Sequence, residues 1–284
     1  MISTQTLLRA LRKVHCLRYG EPIDDDLRGW NWSRPPLKPR AYLDLGVSEI
    51  AGGVCPTRRD LWLRRKEGAK AEPTEPMKIG IAVHNTIHRL ATELSKLIAK
   101  GFSPWDAYAH IHQKVDRIVK EVANGISKID WLKTFAKGVA FAIANMASEL
   151  GSVPLTEFVV DGSLLGLSRN LRVDAMFQGA VVVEFKYGAS RDSYPLALAG
   201  YALALESFLE IPIDVGLVIT ISNGNGSAEP RVRADPVYIS NGLRQSFIEA
   251  RDEAIDVLLS DSPPPRPSQC NSLCPFKKLC GVEI

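Results

Sequence analysis

At 284 residues, with 45% hydrophobic and 24% charged side chains, the chain is long enough to bury a sizeable core and has the composition of a soluble globular protein. No apolar run approaches the roughly 20 residues that a bilayer span needs, and Arg and Lys interrupt the N-terminal MISTQTLLRALRKVHC too early for a secretory signal, so the expectation is a cytoplasmic protein with no membrane partner. A formal net charge of +3 is too small to point by itself to a nucleic acid.

Residues 1–50 read as irregular, with one short helical start and a proline-rich stretch at 34–40. From 47 to about 66 the pattern is helical, broken in two by Gly52-Gly53 and Cys55-Pro56. Arg58, Arg59, Arg64, Arg65, Lys66 and Lys70 outnumber Asp60 and Glu67 here, with Trp62 among them and Trp30 and Trp32 upstream. Such a mixture suits a DNA backbone with stacked bases, and equally the solvated face of an amphipathic helix. Residues 67–76 read as a linker.

After Gly80, Val83, Ile87, Leu90, Leu94, Leu97 and Ile98 form one helical stripe. Ser103 and Pro104 open the next helix as N-cap and first helical residue, and its apolar period runs from Trp105 to Val122. A third helix follows from Ile129 to Leu150. Then the period changes to that of strands, at 155–160, 163–167, 171–177 and 180–185. A crossover helix at 194–209, strands at 215–221 and 231–239 and a final helix at 241–259 complete a mixed α/β pattern.

Asp174 alternates with apolar Leu171, Val173, Ala175 and Phe177, so it leaves the apolar face. Glu184 and Lys186 share a face of the next strand, and an odd-numbered loop with Gly179 in the turn brings Glu184 opposite Asp174. Two carboxylates beside an ammonium can hold Mg2+ or Mn2+, leave positions for water and phosphate, and use the lysine to orient or activate a nucleophile. The alternative is a buried Glu–Lys ion pair on a sheet edge. His84, at the start of the strong helix, can supply a nitrogen ligand, and Tyr201 follows on the crossover helix at a spacing suited to a supporting hydrogen bond. Together these residues outline a metal-dependent nuclease. His84 and His88 lack the intervening Glu of a zinc-protease helix, and His88 reads as a packing or hydrogen-bonding residue.

Cys55 stands alone, while Cys270, Cys274 and Cys280 crowd the last fifteen residues as C-x3-C-x5-C. Four thiols split between distant segments form a ligand set for a soft metal centre, either zinc or an iron–sulfur cluster. Cys16 is left over and reads as a small buried residue.

The chain thus resembles the RecB-like exonucleases of the PD-(D/E)XK superfamily and, more narrowly, the CRISPR-associated iron–sulfur exonucleases of archaea, including the Csa branch. The matching residues are Cys55-Pro-Thr-Arg-Arg-Asp-Leu-Trp-Leu-Arg-Arg, the G-x3-H ending at His84, Asp174, Glu184-Phe-Lys186, Tyr201 and the three closing cysteines. The resemblance implies a RecB-like core with a mixed central sheet over residues 153–260, preceded by a basic, aromatic segment over 1–76 and a helical insertion over 77–152, and followed by a cluster-binding tail over 261–284. It implies a 4Fe-4S cluster on the four cysteines, and Mg2+ or Mn2+ on His84, Asp174, Glu184 and the Phe185 carbonyl. Lys186 would assist the attacking water. The implied activity is exonucleolytic trimming of single-stranded or frayed DNA before insertion into a CRISPR array, with integrase subunits as partners. One departure matters: Ala197 stands where the family's Q-x3-Y has Gln. The rivals are a cluster-stabilised DNA-binding scaffold with a decayed site, and a recombination-repair nuclease.

Overall fold

The computed structural model describes residues 4–52, 55–123, 125–178, 180–223, 229–270, 274, 276–277 and 279–280. The N-terminal half is helical: α1 (Thr4–Cys16), α2 (Val47–Ala51), α3 (Arg59–Lys66), α4 (Glu75–Ala99), α5 (Pro104–His112), α6 (Val115–Val122) and α7 (Ile129–Leu150). The rest alternates strands and helices: β1 (Leu155–Val160), β2 (Leu171–Phe177), β3 (Val181–Tyr187), α8 (Tyr194–Leu209), β4 (Val215–Asn223), β5 (Pro230–Tyr238) and α9 (Asn241–Leu259). Among the described residues, no helix is long and apolar enough to cross a membrane.

Local chemistry explains most boundaries. The Ser103 hydroxyl accepts the Asp106 N–H at 3.1 Å and starts α5. The single long helix expected from Trp105 to Val122 instead turns at Gln113 and Lys114, giving α5 and α6, while its buried stripe of Ala107, Ile111, Val115 and Ile118 runs on across the turn. Residues 163–167, expected as a strand, form a single helical turn over Ser163–Leu165. Asp161 takes up the Ser163 N–H at 2.8 Å, and Gly166, with φ of 72°, closes the turn, so turn chemistry outweighs the apolar content there.

The five strands form one mixed sheet in the order β1-β2-β3-β4-β5. The pairings are antiparallel except β3 with β4, which run parallel and are joined by α8 as the crossover. One face of the sheet packs against α2, α8 and α9. The other is covered by α4 to α7, which meet Phe185, Tyr187, Ile219 and Ile221, and by α1, which meets Phe177, Val183 and Leu217.

A helix with Ala197 to Leu205 buried on every side must bury any polar residue it carries. Glu206 is such a residue. Its carboxylate accepts from Arg244 at 2.7 and 2.9 Å, from Arg28 at 2.8 Å, and from the N–H groups of Gly29 and Ile213 at 2.8 and 3.0 Å. Its lone pairs are filled, which is what permits a charge at that depth. The network anchors the segment around residue 28 to α8 and α9.

Candidate active site

Three elements of the sheet and one helix converge at Asp174. Leu171 and Val173 pack on the α8–α9 side, whereas Ala175 and Phe177 pack on the α1 side, so β2 changes its facing at Asp174 rather than alternating regularly through it. The β2–β3 ladder ends at Ala175 opposite Val183. One step further the register sets Asp174 across from Glu184, but there Asp174 Oδ2 instead accepts the Phe185 N–H at 2.7 Å. Gly179, expected in the turn, lies outside the described residues. On the other side of β2, the pairs Thr156–Ala175 and Phe158–Val173 flank Glu157, whose φ of 53° lies in the left-handed region.

α4 lays His84 into this gap. Its Nδ1 is 3.2 Å from Asp174 Oδ1 and 4.0 Å from Glu157 Oε1, and its Nε2 is 3.1 Å from the Phe185 carbonyl oxygen. One ligand atom from each of His84, Glu157 and Asp174 lies within 4.8 Å of the other two, the spacing of donors around a single ion. Burial opposes charging of His84, but the hydrogen bond and charge of Asp174, with the charge of Glu184, outweigh it and raise its pKa.

Glu184 lies beside this trio, buried on β3. Its Oε1 pairs with Lys186 Nζ, while its Oε2 is buried with no hydrogen-bond partner among the described residues. Burial and then the charge of Asp174 push the Glu184 carboxyl up to about 7 despite Lys186. An orphaned carboxylate oxygen beside two further carboxylates and an imidazole is the donor set of a cation site, and the residues fit a hard divalent ion. Burial works against the Lys186 charge, but the pairing with Glu184 prevails and holds its pKa above the ordinary lysine value. Its ammonium also lies 5.6 Å from the centre of the Tyr194 ring. Tyr201 is buried on α8, and burial together with the charges of Glu184, Asp174 and Glu157 raises its phenol well above the usual range, which places it within their field.

The structure therefore brings His84, Asp174, the Phe185 carbonyl, Glu184 and Lys186 together, with Tyr201 behind them. Glu157 was missed in the sequence. In 155–160 it shares a strand face with Leu155 and Val159, which are exposed, and it reads as a surface residue until β1 is registered against β2. His88 donates to or accepts from Thr156 Oγ1 at 2.8 Å, tying α4 to β1.

Around α3, Cys274 and Cys280 pack with Trp62, Leu63 and Phe276, with Cys270 against them and Cys55 buried just before the helix. Burial first, and then the nearby Cys270, Asp60 and Cys55, raise the Cys274 thiol. No three of the four sulfurs lie within 4.8 Å of one another. Cys16, expected to be buried, is exposed at the end of α1.

The arginines beside Cys55 are used within the protein. Arg58 donates to the Ile50 carbonyl at 3.1 Å and lies 3.4 Å from Glu253; Arg59 donates to the Pro264 carbonyl; Arg65 donates to the carbonyls of Leu43 and Asp44. The Arg64 guanidinium stacks 5.6 Å from the Phe276 ring centre. These contacts tie α3 to the chain on both sides of it.

The chain has clear relatives. A family model described as CRISPR-associated exonuclease Csa1 matches residues 1–283. A CRISPR-associated exonuclease Csa1 of Thermoproteus tenax is 32% identical over 285 residues, covering 99% of this chain and 99% of its own. A second, from Saccharolobus solfataricus, is 32% identical over 91% of this chain and 92% of its own.

Proposed function

The chain belongs to the CRISPR-associated exonuclease Csa1 family, and from that premise we propose that it is a divalent-metal-dependent DNA exonuclease on a PD-(D/E)XK core that trims DNA ends for CRISPR spacer acquisition. The observation that carries this reading is the meeting of His84, Glu157 and Asp174 within ligand distance, beside a Glu184 with an orphaned buried oxygen. Mg2+ or Mn2+ would be held by His84, Asp174 and Glu157 with Glu184 and the Phe185 carbonyl adjoining. When bound, such an ion supplies Lewis acidity at a phosphoryl oxygen and acidifies a water. The protein's own groups do the rest. Asp174 fixes the β3 backbone through the Phe185 N–H and holds the His84 ring by its other oxygen. Without the metal, pairing with Glu184 favours the protonated Lys186, a form that orients phosphate or water and offsets developing negative charge.

Cys55, Cys270, Cys274 and Cys280 would hold the 4Fe-4S cluster. On this reading the partners are single-stranded or frayed DNA and the CRISPR integrase subunits, and the arginines of α3 contribute to DNA binding only through the edges that their internal bonds leave free.

A nuclease assay on labelled single- and double-stranded DNA in Mn2+ or Mg2+ tests the proposal. Degradation by the wild type that Asp174→Ala abolishes is the expected result. The scaffold reading draws support from Ala197, which sits buried on α8 where a Gln would be polar. Salt-dependent DNA binding with no cleavage above the Asp174→Ala control would establish that reading instead.

A further inference from the structure

We propose that the cleft between α4 and the α5–α6 pair is a second nucleic-acid site, an exosite that holds the backbone of a single strand away from the catalytic carboxylates. It rests on the nuclease reading only for the identity of the polyanion.

The cleft has a volume of about 160 Å³, too small to enclose a nucleotide-sized ligand at the roughly 300 Å³ or more such pockets require, but open enough to admit phosphate groups from outside. Arg89, Lys96, Lys100, Lys114 and Arg117 line it, with Glu93 as the carboxylate among the lining residues. Glu93 is 3.6 Å from both Arg89 and Lys96, and Glu121 at the rim reaches Arg89 at 3.5 Å and Arg117 at 3.8 Å. Among the described residues Lys100 has no carboxylate partner, and Lys114 Nζ donates only to His110 Nε2, at 2.7 Å. Two ammonium groups thus converge uncompensated on a cleft already rich in guanidinium, a concentration of like charge that an anion relieves.

Length and surroundings identify the anion as a strand. From Arg89 to Lys100 the helix rises about 16 Å, more than one phosphate group spans. At the Lys100 end, Phe102 is 40% exposed and its ring centre lies 6.1 Å from that of His110, giving an aromatic surface beside the cations. Cations along a groove with a stacking surface beside them are what single strands bind. With about 100° of turn per residue, the α4 side chains of this cleft lie roughly 120–180° round the helix from His84. The cleft is therefore separate from the site that His84 completes.

Fluorescence anisotropy with a labelled single-stranded oligonucleotide in EDTA, so that nothing is cleaved, reads the site directly. Lys100→Ala/Lys114→Ala should lower affinity several-fold and flatten the log–log salt dependence by about 1.4, the contribution of roughly two phosphate contacts. Phe102→Ala should lower affinity about tenfold. Both variants should melt like the wild type and degrade very short oligonucleotides at its rate. If the wild type binds and degrades DNA while the lysine variant keeps its affinity and salt slope, the exosite is overturned and the nuclease reading stands. If the variant loses binding to a polyglutamate peptide but not to DNA, the cleft belongs to an acidic protein, and the proposal fails. A wild type that neither binds nor degrades DNA removes the nuclease reading and the exosite together.

Discussion

Glu157 stands directly across from Asp174 on the neighbouring strand, between the paired Thr156–Ala175 and Phe158–Val173, and its backbone φ is 53°. A Glu in the left-handed region costs about 1 kcal/mol or more, and a strand gains nothing from it. What it gains here is a carboxylate turned toward Asp174 and His84.

Two substitutions separate strain from ligation at Glu157. Glu157→Ala and Glu157→Gly both remove the carboxylate and should both weaken Mn2+ binding at least tenfold, read by calorimetry. Only Gly relieves the backbone, so in the metal-free protein Glu157→Gly should be more stable than Glu157→Ala by about 1 kcal/mol in urea unfolding. Equal stabilities would mean that the left-handed backbone carries no strain.

Glu184 makes the metal-free protein sensitive to pH. Its carboxyl moves from 4.5 to about 7 on folding, because of burial and then Asp174. A group whose pKa is raised by folding binds its proton more tightly in the folded state. Its contribution is therefore full below about pH 4.5 and is lost as the pH rises through about 7, by a total of order 3 kcal/mol. The raised His84 acts in the same direction. In EDTA the melting temperature should fall between about pH 5 and 8, and Glu184→Gln should flatten that fall. Saturating Mn2+ should reverse it, since ligation requires the deprotonated carboxylate. A metal-free melting temperature that climbs over this range would contradict the burial of a proton on Glu184.

How far the sequence could reveal this site depended on whether each residue's role is local. The crossover helix at 194–209 and the last helix at 241–259 were legible, the first as a long apolar run opened by Pro195 and the second because its period is amphipathic and Ser240 caps its start. His84, Asp174, Glu184 and Lys186 were legible because charged groups inside apolar runs are conspicuous. Glu157 was not, since only the β1–β2 register distinguishes it from a surface glutamate on an edge strand. The same holds for Glu206 and Arg244. Their pairing spans 38 residues of sequence and becomes visible only when α8 and α9 pack. The roles of Arg58, Arg59 and Arg65 were equally hidden, because a basic run looks alike whether it faces phosphate or backbone carbonyls.

The cysteines divide by position. Cys55, Cys270, Cys274 and Cys280 surround α3 and its Trp62–Phe276 cluster, whereas Cys16 lies exposed on α1. Serine at any of the four should remove thiolate-bound iron, measured by metal analysis and visible absorbance after anaerobic purification, and should lower the melting temperature by detaching the tail from α3. Cys16→Ser should leave both unchanged. Stoichiometric zinc without iron after anaerobic reconstitution would assign the thiols to a zinc site.

Lys186 acts on Glu184, and on the proposed function it would act on the substrate as well. It pairs with Glu184 Oε1 and is the main influence pulling that carboxyl's pKa down against burial and Asp174. In Lys186→Met the carboxyl should therefore rise above about 7, and at neutral pH a larger fraction should stay protonated and unable to take a cation. Mn2+ affinity at pH 7 should fall about tenfold and recover as the pH is raised toward 9, while DNA cleavage stays depressed by 100-fold or more even at high pH, because the ammonium is also missing from the reacting phosphate. Calorimetry across that pH range, run beside the cleavage assay, separates the two effects. A Mn2+ affinity in Lys186→Met that matches the wild type at every pH would show that the lysine serves the substrate alone and leaves the protonation of Glu184 to burial and Asp174.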